Sequence, residues 1–205
     1  MRKQLLYIFS LFIAVASSAQ NTDIRWLRQI NINRNQKLDH VFLNLTNSAT
    51  AVTYGTSGVM ILTGAIGKNK QLFRNGLELL GSETLNLLLT QALKNSFKRT
   101  RPYNTYPDLD NVIEASGYSF PSGHTSIVFN NAATLSMQYP KWYIIAPSYM
   151  YASFVAYSRM HLGVHYPSDI LGGIVVGTGS AFAARWIRKK IEHKKQQKVK
   201  QVALY

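Results

Sequence analysis

Charged side chains cut the chain into apolar stretches, and those stretches predict its elements. Residues 41–67 carry no charge, although Asn44, Thr46, Asn47 and Ser48 make the run polar for its length. That length suffices for a membrane span. Residues 77–93 are apolar with a helical repeat but contain Glu78 and Glu83, so those carboxylates are expected to face other helices or lie near an end. Residues 127–139 and 144–157 are uncharged, with Lys141-Trp142-Tyr143 between them, and residues 170–184 are uncharged and Gly-rich. Each is predicted as a helix. The Tyr-, Pro-, Asp- and Gly-rich stretch 103–120 is predicted as a loop. In 24–40, Ile24, Leu27, Ile30 and Leu38 fall near helical spacing, which predicts a short amphipathic segment on a membrane surface with His40 as a polar cap or surface residue. The expected fold is all-α, a bundle of about five to six core helices.

Alternating the apolar segments across a bilayer sorts the polar residues. Lys68, Lys70, Arg74, Lys141 and the C-terminal tail fall on one face. Lys94–Arg101, the loop, 119–125 and 158–169 fall on the other. Basic residues favour the cytoplasmic side, and Trp142 and Trp186 beside cations suit its interface. The membrane-embedded reading competes with a soluble periplasmic bundle, because the apolar runs after 41–67, of about 14 to 18 residues, are short for spans and the mean hydropathy is only -0.08.

The chain has 205 residues, most simply a single domain, and 46% of them are hydrophobic. Arg2 and Lys3, the apolar run 5–16 and Ser17-Ser18-Ala19 resemble an export signal cleaved after Ala19. An uncleaved first helix is the alternative. The expected organisation is a signal at 1–19, a catalytic domain at 20–187 and a basic cytoplasmic tail at 188–205. Of the formal net charge of +14, half lies in 185–200, where eight Lys/Arg face one Glu. No nucleic-acid module precedes that run, so its expected partner is anionic lipid and not nucleic acid. The chain has no cysteine, which excludes disulfides and thiolate metal sites. Oligomeric state is left open by the sequence.

The densest chemistry lies in Ser158-Arg159-Met-His161-Leu-Gly-Val-His165-Tyr-Pro-Ser-Asp169. On one helix, His161, His165 and Asp169 would share a face. Three readings stand: a His/His/Asp metal site, a phosphate site with Arg159 holding an anion that His165 attacks, and a polar helix end without chemistry. Upstream, Lys94 and Arg101 are two helical turns apart and would point to one side if the helix continued to Pro102. Pro121-Ser122-Gly123-His124 precedes an apolar helix. There Ser122 can cap, the free N–H groups suit an anion, and His124 stands at the helix mouth.

Lys94-x6-Arg101-Pro102, Pro121-Ser122-Gly123-His124 and Ser158-Arg159-x5-His165-x3-Asp169, separated by 18 and 33 residues, together resemble the three-part signature of the type 2 phosphatidic-acid phosphatase family, which includes bacterial acid phosphatases and vanadium haloperoxidases. The resemblance implies a helical phosphatase with its site at one end of the bundle. Lys94, Arg101, Ser122, Gly123 and Arg159 would bind phosphate, His165 would be the nucleophile and Asp169 would orient it. His124 would be the acid and base. No metal or other cofactor is implied, and Lys98, Arg99 and His161 occupy positions that the signature leaves open. The expected substrate is a phosphorylated membrane lipid, handled at the periplasmic face of a bacterial inner membrane. The alternatives are a soluble periplasmic acid phosphatase and, remotely, a vanadate-dependent haloperoxidase. The loop acids Asp108, Asp110 and Glu114 are expected to repel highly anionic substrates.

Overall fold

A computed structural model describes residues 21–202, and the expected signal at 1–19 lies outside them. A first helix, α1, occupies residues 21–31. A 3-10 turn at Gln36–Leu38 leads into α2 (Asp39–Ile66) and α3 (Lys70–Phe97). The one-turn α4 (Pro102–Thr105) opens the loop, followed by α5 (Gly123–Gln138), α6 (Trp142–His161) and α7 (Pro167–Val202). No strand occurs among the described residues. The all-α bundle is built, among the described residues, on four long helices, α2, α3, α6 and α7, around the shorter α5.

Those helices exceed the apolar runs that predict them. α2 and α3 each hold 28 residues, which is about 42 Å at 1.5 Å per residue. Polar and charged ends simply prolong the helices past their apolar centres. Only α5, at 16 residues, is short. It is enclosed by its neighbours, with residues 125–134 all buried.

The bundle is polar within and apolar without. Thr53, Ser57, Glu83, Asn86, Asn130 and Asn131 are buried, whereas Val59, Leu62, Leu88, Val175 and Phe182 are exposed. Water would penalise that outer surface and a bilayer rewards it. Many of the inner groups bond one another, although Thr53 Oγ1 and Asn130 Oδ1 find no partner among the described residues. Asn130 Nδ2 donates to Ser82 Oγ at 2.7 Å and to Ser180 Oγ at 2.9 Å, and Ser57 Oγ donates to Glu83 Oε2 at 2.9 Å. Glu78 and Glu83 therefore do face other helices. Close approach between α5 and α7 requires Gly177, where a Cβ would lie 2.2 Å from the Ser126 carbonyl oxygen.

One expectation is corrected. The segment 24–40 is not an isolated surface helix, because Ile24 and Leu27 of α1 are buried with Leu109 and Tyr166 and polar contacts pin α1 to the end of the bundle where the motifs meet. α7 runs from Pro167 through residues 187 and 188 to Val202.

Candidate active site

At the end of the bundle where α3 and α6 stop and α5 and α7 start, the three motifs meet. α6 ends at His161, and a turn through Gly163 (φ 76°) reverses the chain before α7 begins at Pro167. A Cβ on Gly163 would sit 2.6 Å from the Asp110 carbonyl oxygen, so glycine is required there for conformation and for space. Because this turn separates them, His161 does not share a face with His165 and Asp169. It points away instead, with Nε2 2.8 Å from Asp39 Oδ1 and its ring against Phe42. The three ligands of the metal reading do not converge.

His165 lies in the turn and Asp169 in the first turn of α7, and both are buried. His165 Nδ1 is 3.2 Å from Asp169 Oδ2. That oxygen also accepts from the Tyr166 amide at 2.9 Å and from Ser119 Oγ in a short bond. A carboxylate surrounded by donors assigns the proton to Nδ1 and leaves Nε2 unprotonated. Burial pushes the His165 pKa down to about 3; Asp169 pulls it upward, and Arg159 and Arg101 depress it further. The imidazole is thus neutral at ordinary pH.

Nε2 faces a cavity of about 360 Å³ whose lining includes Lys94, Arg101, Gly123, His124, Arg159 and Glu114. Lys94 sits in the last turn of α3. The helix does not continue to Arg101 as expected: it ends at Phe97, and Lys98 adopts a left-handed conformation (φ 47°). Arg101 becomes the N-cap of α4 and still reaches the cavity. Its Nη1 donates to the Val164 carbonyl at 3.0 Å and lies 3.3 Å from His165 Nε2. Its other nitrogens bond the carbonyls of Ser116 and Gly117, and burial lowers its pKa. Arg159 donates from Nη1 to Thr46 Oγ1 at 2.7 Å, while its buried Nε has no partner. An unpaired buried guanidinium N–H is costly without an acceptor, and an anion in the cavity would supply one.

Ser122 is the N-cap of α5, as its position suggests. Its Oγ accepts from Thr125 Oγ1 at 2.9 Å, its amide donates to the Asp169 carbonyl at 3.0 Å, and it stands outside the cavity lining. Gly123 and His124, at the start of α5, are in that lining, and His124 makes no hydrogen bond to any described residue. Cations, the unprotonated Nε2 of His165, which accepts from Arg101 Nη1, and a second imidazole thus surround one space. The set can bind a phosphoryl group and move protons around it.

Sequence reasoning missed the support for Asp169. Arg99 Nη1 donates to Asp169 Oδ1 at 2.7 Å and to Ser168 Oγ at 2.6 Å, and its Nη2 reaches Asp23 Oδ2 at 2.7 Å. The guanidinium lies over the Tyr166 ring. Burial opposes its charge, but Asp169 and Asp23 outweigh that and raise its pKa. Once the helix stops at Phe97, alternate residues share a side, which places Arg99 with Arg101. Asp23, on α1, carried no such signal. The loop acids also need correction. Asp108 pairs with Arg28 at 2.7 Å and Asp110 with Arg34 at 2.5 Å, so they strap the loop to the N-terminal segment, and only Glu114 lines the cavity.

The sequence model of the PAP2 superfamily matches residues 75–192. The chain belongs to the PAP2 superfamily. It is 30% identical over 197 residues to an undecaprenyl-diphosphatase of Sulfolobus acidocaldarius, an alignment covering 92% of each chain. It is 27% identical over 209 residues to phosphatidylglycerophosphatase B of Bacillus subtilis, covering 94% of this chain and 97% of that one. The solved structure of the first transmembrane PAP2 type phosphatidylglycerolphosphate phosphatase from Bacillus subtilis superimposes with a TM-score of 0.69 at 25% identity, covering 91% of this chain and 95% of that one. This PAP2 protein is a phosphoric-ester hydrolase with a helical, membrane-associated fold. The matched residues exclude α1 and α2, which bring Asp23, Asp39 and Thr46 to the same end of the bundle.

Proposed function

We propose that the enzyme removes a phosphate or diphosphate group from a membrane lipid at the periplasmic face, without a metal, through a phosphohistidine on His165. The observation that carries this reading is the His165–Asp169 pair opening onto a cavity ringed by Lys94, Arg101 and Arg159. Phosphoryl transfer asks a protein mainly for positioning and charge stabilisation, and three cations supply both. The non-bridging oxygens lie against Lys94, Arg101 and Arg159, with the Gly123 amide adding a donor at the start of α5. Ser122 acts by capping that helix, and Asp169 fixes the tautomer of the nucleophile.

The Nε2 lone pair of His165 attacks phosphorus in line, forming the P–N bond as the P–O bond to the lipid breaks. Burial and the neighbouring Arg159, Arg101 and Lys94 hold the His124 pKa down to about 3. The negative charge of a bound phosphate offsets those cations, so His124 takes up a proton with the substrate and gives it to the departing oxygen, which leaves as the lipid alcohol, or as the lipid monophosphate from a diphosphate. Neutral His124 then takes a proton from water, whose oxygen attacks phosphorus. The P–N bond breaks, and phosphate and free His165 result. The lipid substrate rests on the two relatives above, named for undecaprenyl diphosphate and phosphatidylglycerophosphate hydrolysis, and on the apolar outer face. The orientation rests on Lys68, Lys70, Arg74 and the basic end of α7 lying at the other end of the bundle, with Trp142 and Trp186 exposed there, as positive-inside placement requires.

The test is phosphate release by the purified protein in detergent, with His165→Ala as the blank. The panel is undecaprenyl diphosphate, phosphatidic acid, phosphatidylglycerol phosphate and lipid A, set against p-nitrophenyl phosphate and a nucleotide. Preference for a lipid, loss of turnover in His165→Ala, indifference to EDTA and competitive inhibition by orthovanadate are expected. Equal turnover of the soluble esters would refute the lipid assignment. Activity surviving in His165→Ala would remove the nucleophile, and EDTA sensitivity would restore a metal.

A further inference from the structure

A cavity larger than the catalytic one lies elsewhere in the bundle. A groove of about 790 Å³ runs between the first half of α3 and the second half of α7. Its centre is far from the phosphate cavity: Arg74 in its lining and Lys94 in the active site are twenty residues apart on α3, or about 30 Å along the helix. That distance is the thickness of a bilayer's hydrocarbon core, so the groove opens at the opposite membrane interface.

Its wall is apolar, formed by Leu77, Leu85, Ala184, Ile187 and Ile191, and Gly81 leaves a notch in it. A Cβ at Gly81 would meet nothing within 4 Å. The groove shares Gln71, Glu78, Arg188 and Glu192 with an adjoining polar pocket of about 230 Å³, which also meets Gln138, Arg185 and Lys189. That pocket is held rigidly. Arg188 makes a short ion pair with Glu78 and bonds Glu192 Oε1 at 3.0 Å. Gln138 Nε2 donates to Glu78 Oε2 at 3.1 Å and to the Asn75 carbonyl at 2.9 Å.

Two acceptors in this pocket remain unpaired although buried, Glu78 Oε1 and Gln138 Oε1, and Glu78 as a whole is only 8% exposed. Buried acceptors of this kind call for donors from outside the chain. Meanwhile both lining carboxylates, Glu78 and Glu192, are paired with Arg188, so Arg74, Arg185 and Lys189 leave the rim cationic. An apolar trough, a cationic rim and two waiting acceptors ask for one ligand with an acyl chain, a phosphate and hydroxyl groups.

We propose that this groove binds an anionic phospholipid of the leaflet opposite the active site, one whose headgroup carries hydroxyls, as glycerol does. The acyl chain lies along Leu77, Leu85, Ile187 and Ile191. The phosphate sits among Arg74, Arg185 and Lys189, and headgroup hydroxyls donate to Glu78 and Gln138. Basic pockets between membrane helices at the inner face recognise anionic headgroups by this chemistry. The ligand is a bound lipid and not a substrate, since a phosphodiester headgroup here is a bilayer away from His165.

The test is native mass spectrometry of the full-length protein after delipidation, titrated with dioleoyl phosphatidylglycerol, phosphatidylserine or phosphatidylcholine. One phosphatidylglycerol is expected to bind at least tenfold more tightly than phosphatidylcholine and measurably more tightly than phosphatidylserine. Arg74→Ala with Lys189→Ala removes two of the three free rim charges and should weaken it about 30-fold at low salt, at roughly 1 kcal/mol per charge. Gly81→Leu should also displace the lipid by filling the notch. Both variants should hydrolyse p-nitrophenyl phosphate at the wild-type rate, which shows that they fold. Equal binding of the three lipids, or phosphatidylglycerol binding untouched by both variants, would overturn the assignment. Phosphatidylserine binding as tightly as phosphatidylglycerol would remove the hydroxyl recognition.

Discussion

Replacing Arg99 by glutamine tests whether catalysis depends on a group that does not line the phosphate cavity. Asp169 is fully buried, and Arg99 is the donor to its Oδ1, at 2.7 Å. Ser119, the Tyr166 amide and His165 all address Oδ2. Arg99→Gln therefore strands one oxygen of a buried carboxylate and frees Asp169 to turn away from His165 Nδ1. A hydrogen bond to a charged group contributes about 1.5–3 kcal/mol, and kcat should fall about 10- to 150-fold if that energy holds the nucleophile in place. KM should stay within about twofold, because Arg99 is absent from the cavity lining. Breaking a buried pair also destabilises, so rates are scored against thermal melts in the same detergent. Asp23→Asn, which removes the far anchor of Arg99, should give a smaller loss of kcat. Part of that loss should persist in the Arg99→Gln background, since Asp23 Oδ1 also accepts from the Ser168 amide at 2.8 Å, and only the remainder passes through the guanidinium. Arg99→Gln within threefold of wild type and correctly folded would refute the relay. A loss confined to KM would instead make Arg99 a phosphate ligand.

The depressed pKa of His165 has a signed consequence for stability. Its folded value of about 3 lies below the ordinary 6.5 of an unfolded histidine, so protons favour the unfolded chain. Stability is complete above pH 6.5 and is lost as pH falls towards 3. At pH 5 the loss is about 2 kcal/mol, so moving from pH 7.5 to 5 should lower the melting temperature of wild type more than that of His165→Gln; parallel shifts would contradict the burial argument. Gly177→Ala should cost about 1–3 kcal/mol by forcing α5 from α7, since its Cβ would meet Ser126 at 2.2 Å, whereas Gly179→Ala meets nothing and should be neutral or stabilising. Equal melts for the two would refute the close-packing role. Glu83 faces only the neutral donors Ser57 and Asn131, so Glu83→Gln should fold normally and keep activity within about twofold. A tenfold loss would show that its charge is used.

The proposed catalytic groups are legible because each motif is local. Lys94, Arg101, His124, Arg159, His165 and Asp169 announce themselves by spacing within short stretches, and the fold brings the stretches together. What failed was continuity. His161 was placed on one face with His165 because nothing in the local repeat declares the end of α6, which Gly163 and the following turn impose. Arg101 was placed on a continuing α3, which the left-handed Lys98 ends. The Asp23–Arg99–Asp169 chain was invisible because its members lie 76 and 70 residues apart. The polar residues of 41–67 counted against a membrane span when read singly. In the structure Thr46, Thr53 and Ser57 are buried against neighbouring helices and Asn47 lines the phosphate cavity, whereas Asn44 and Thr63 remain exposed.

The buried polar seam also bears on how the protein is made. Among the described residues only the segments 36–66 and 167–194 are long and apolar enough to cross a membrane unaided. α3 and α5, with Glu83, Asn86, Asn130 and Asn131, would each expose unpaired polar groups to lipid if they entered alone. They must be handed to the bilayer together with α2 and α7, whose hydroxyls receive those groups. Assembly is therefore collective, and α7, which is synthesised after α2, α3, α5 and α6, completes the seam and delivers Asp169 in the same step.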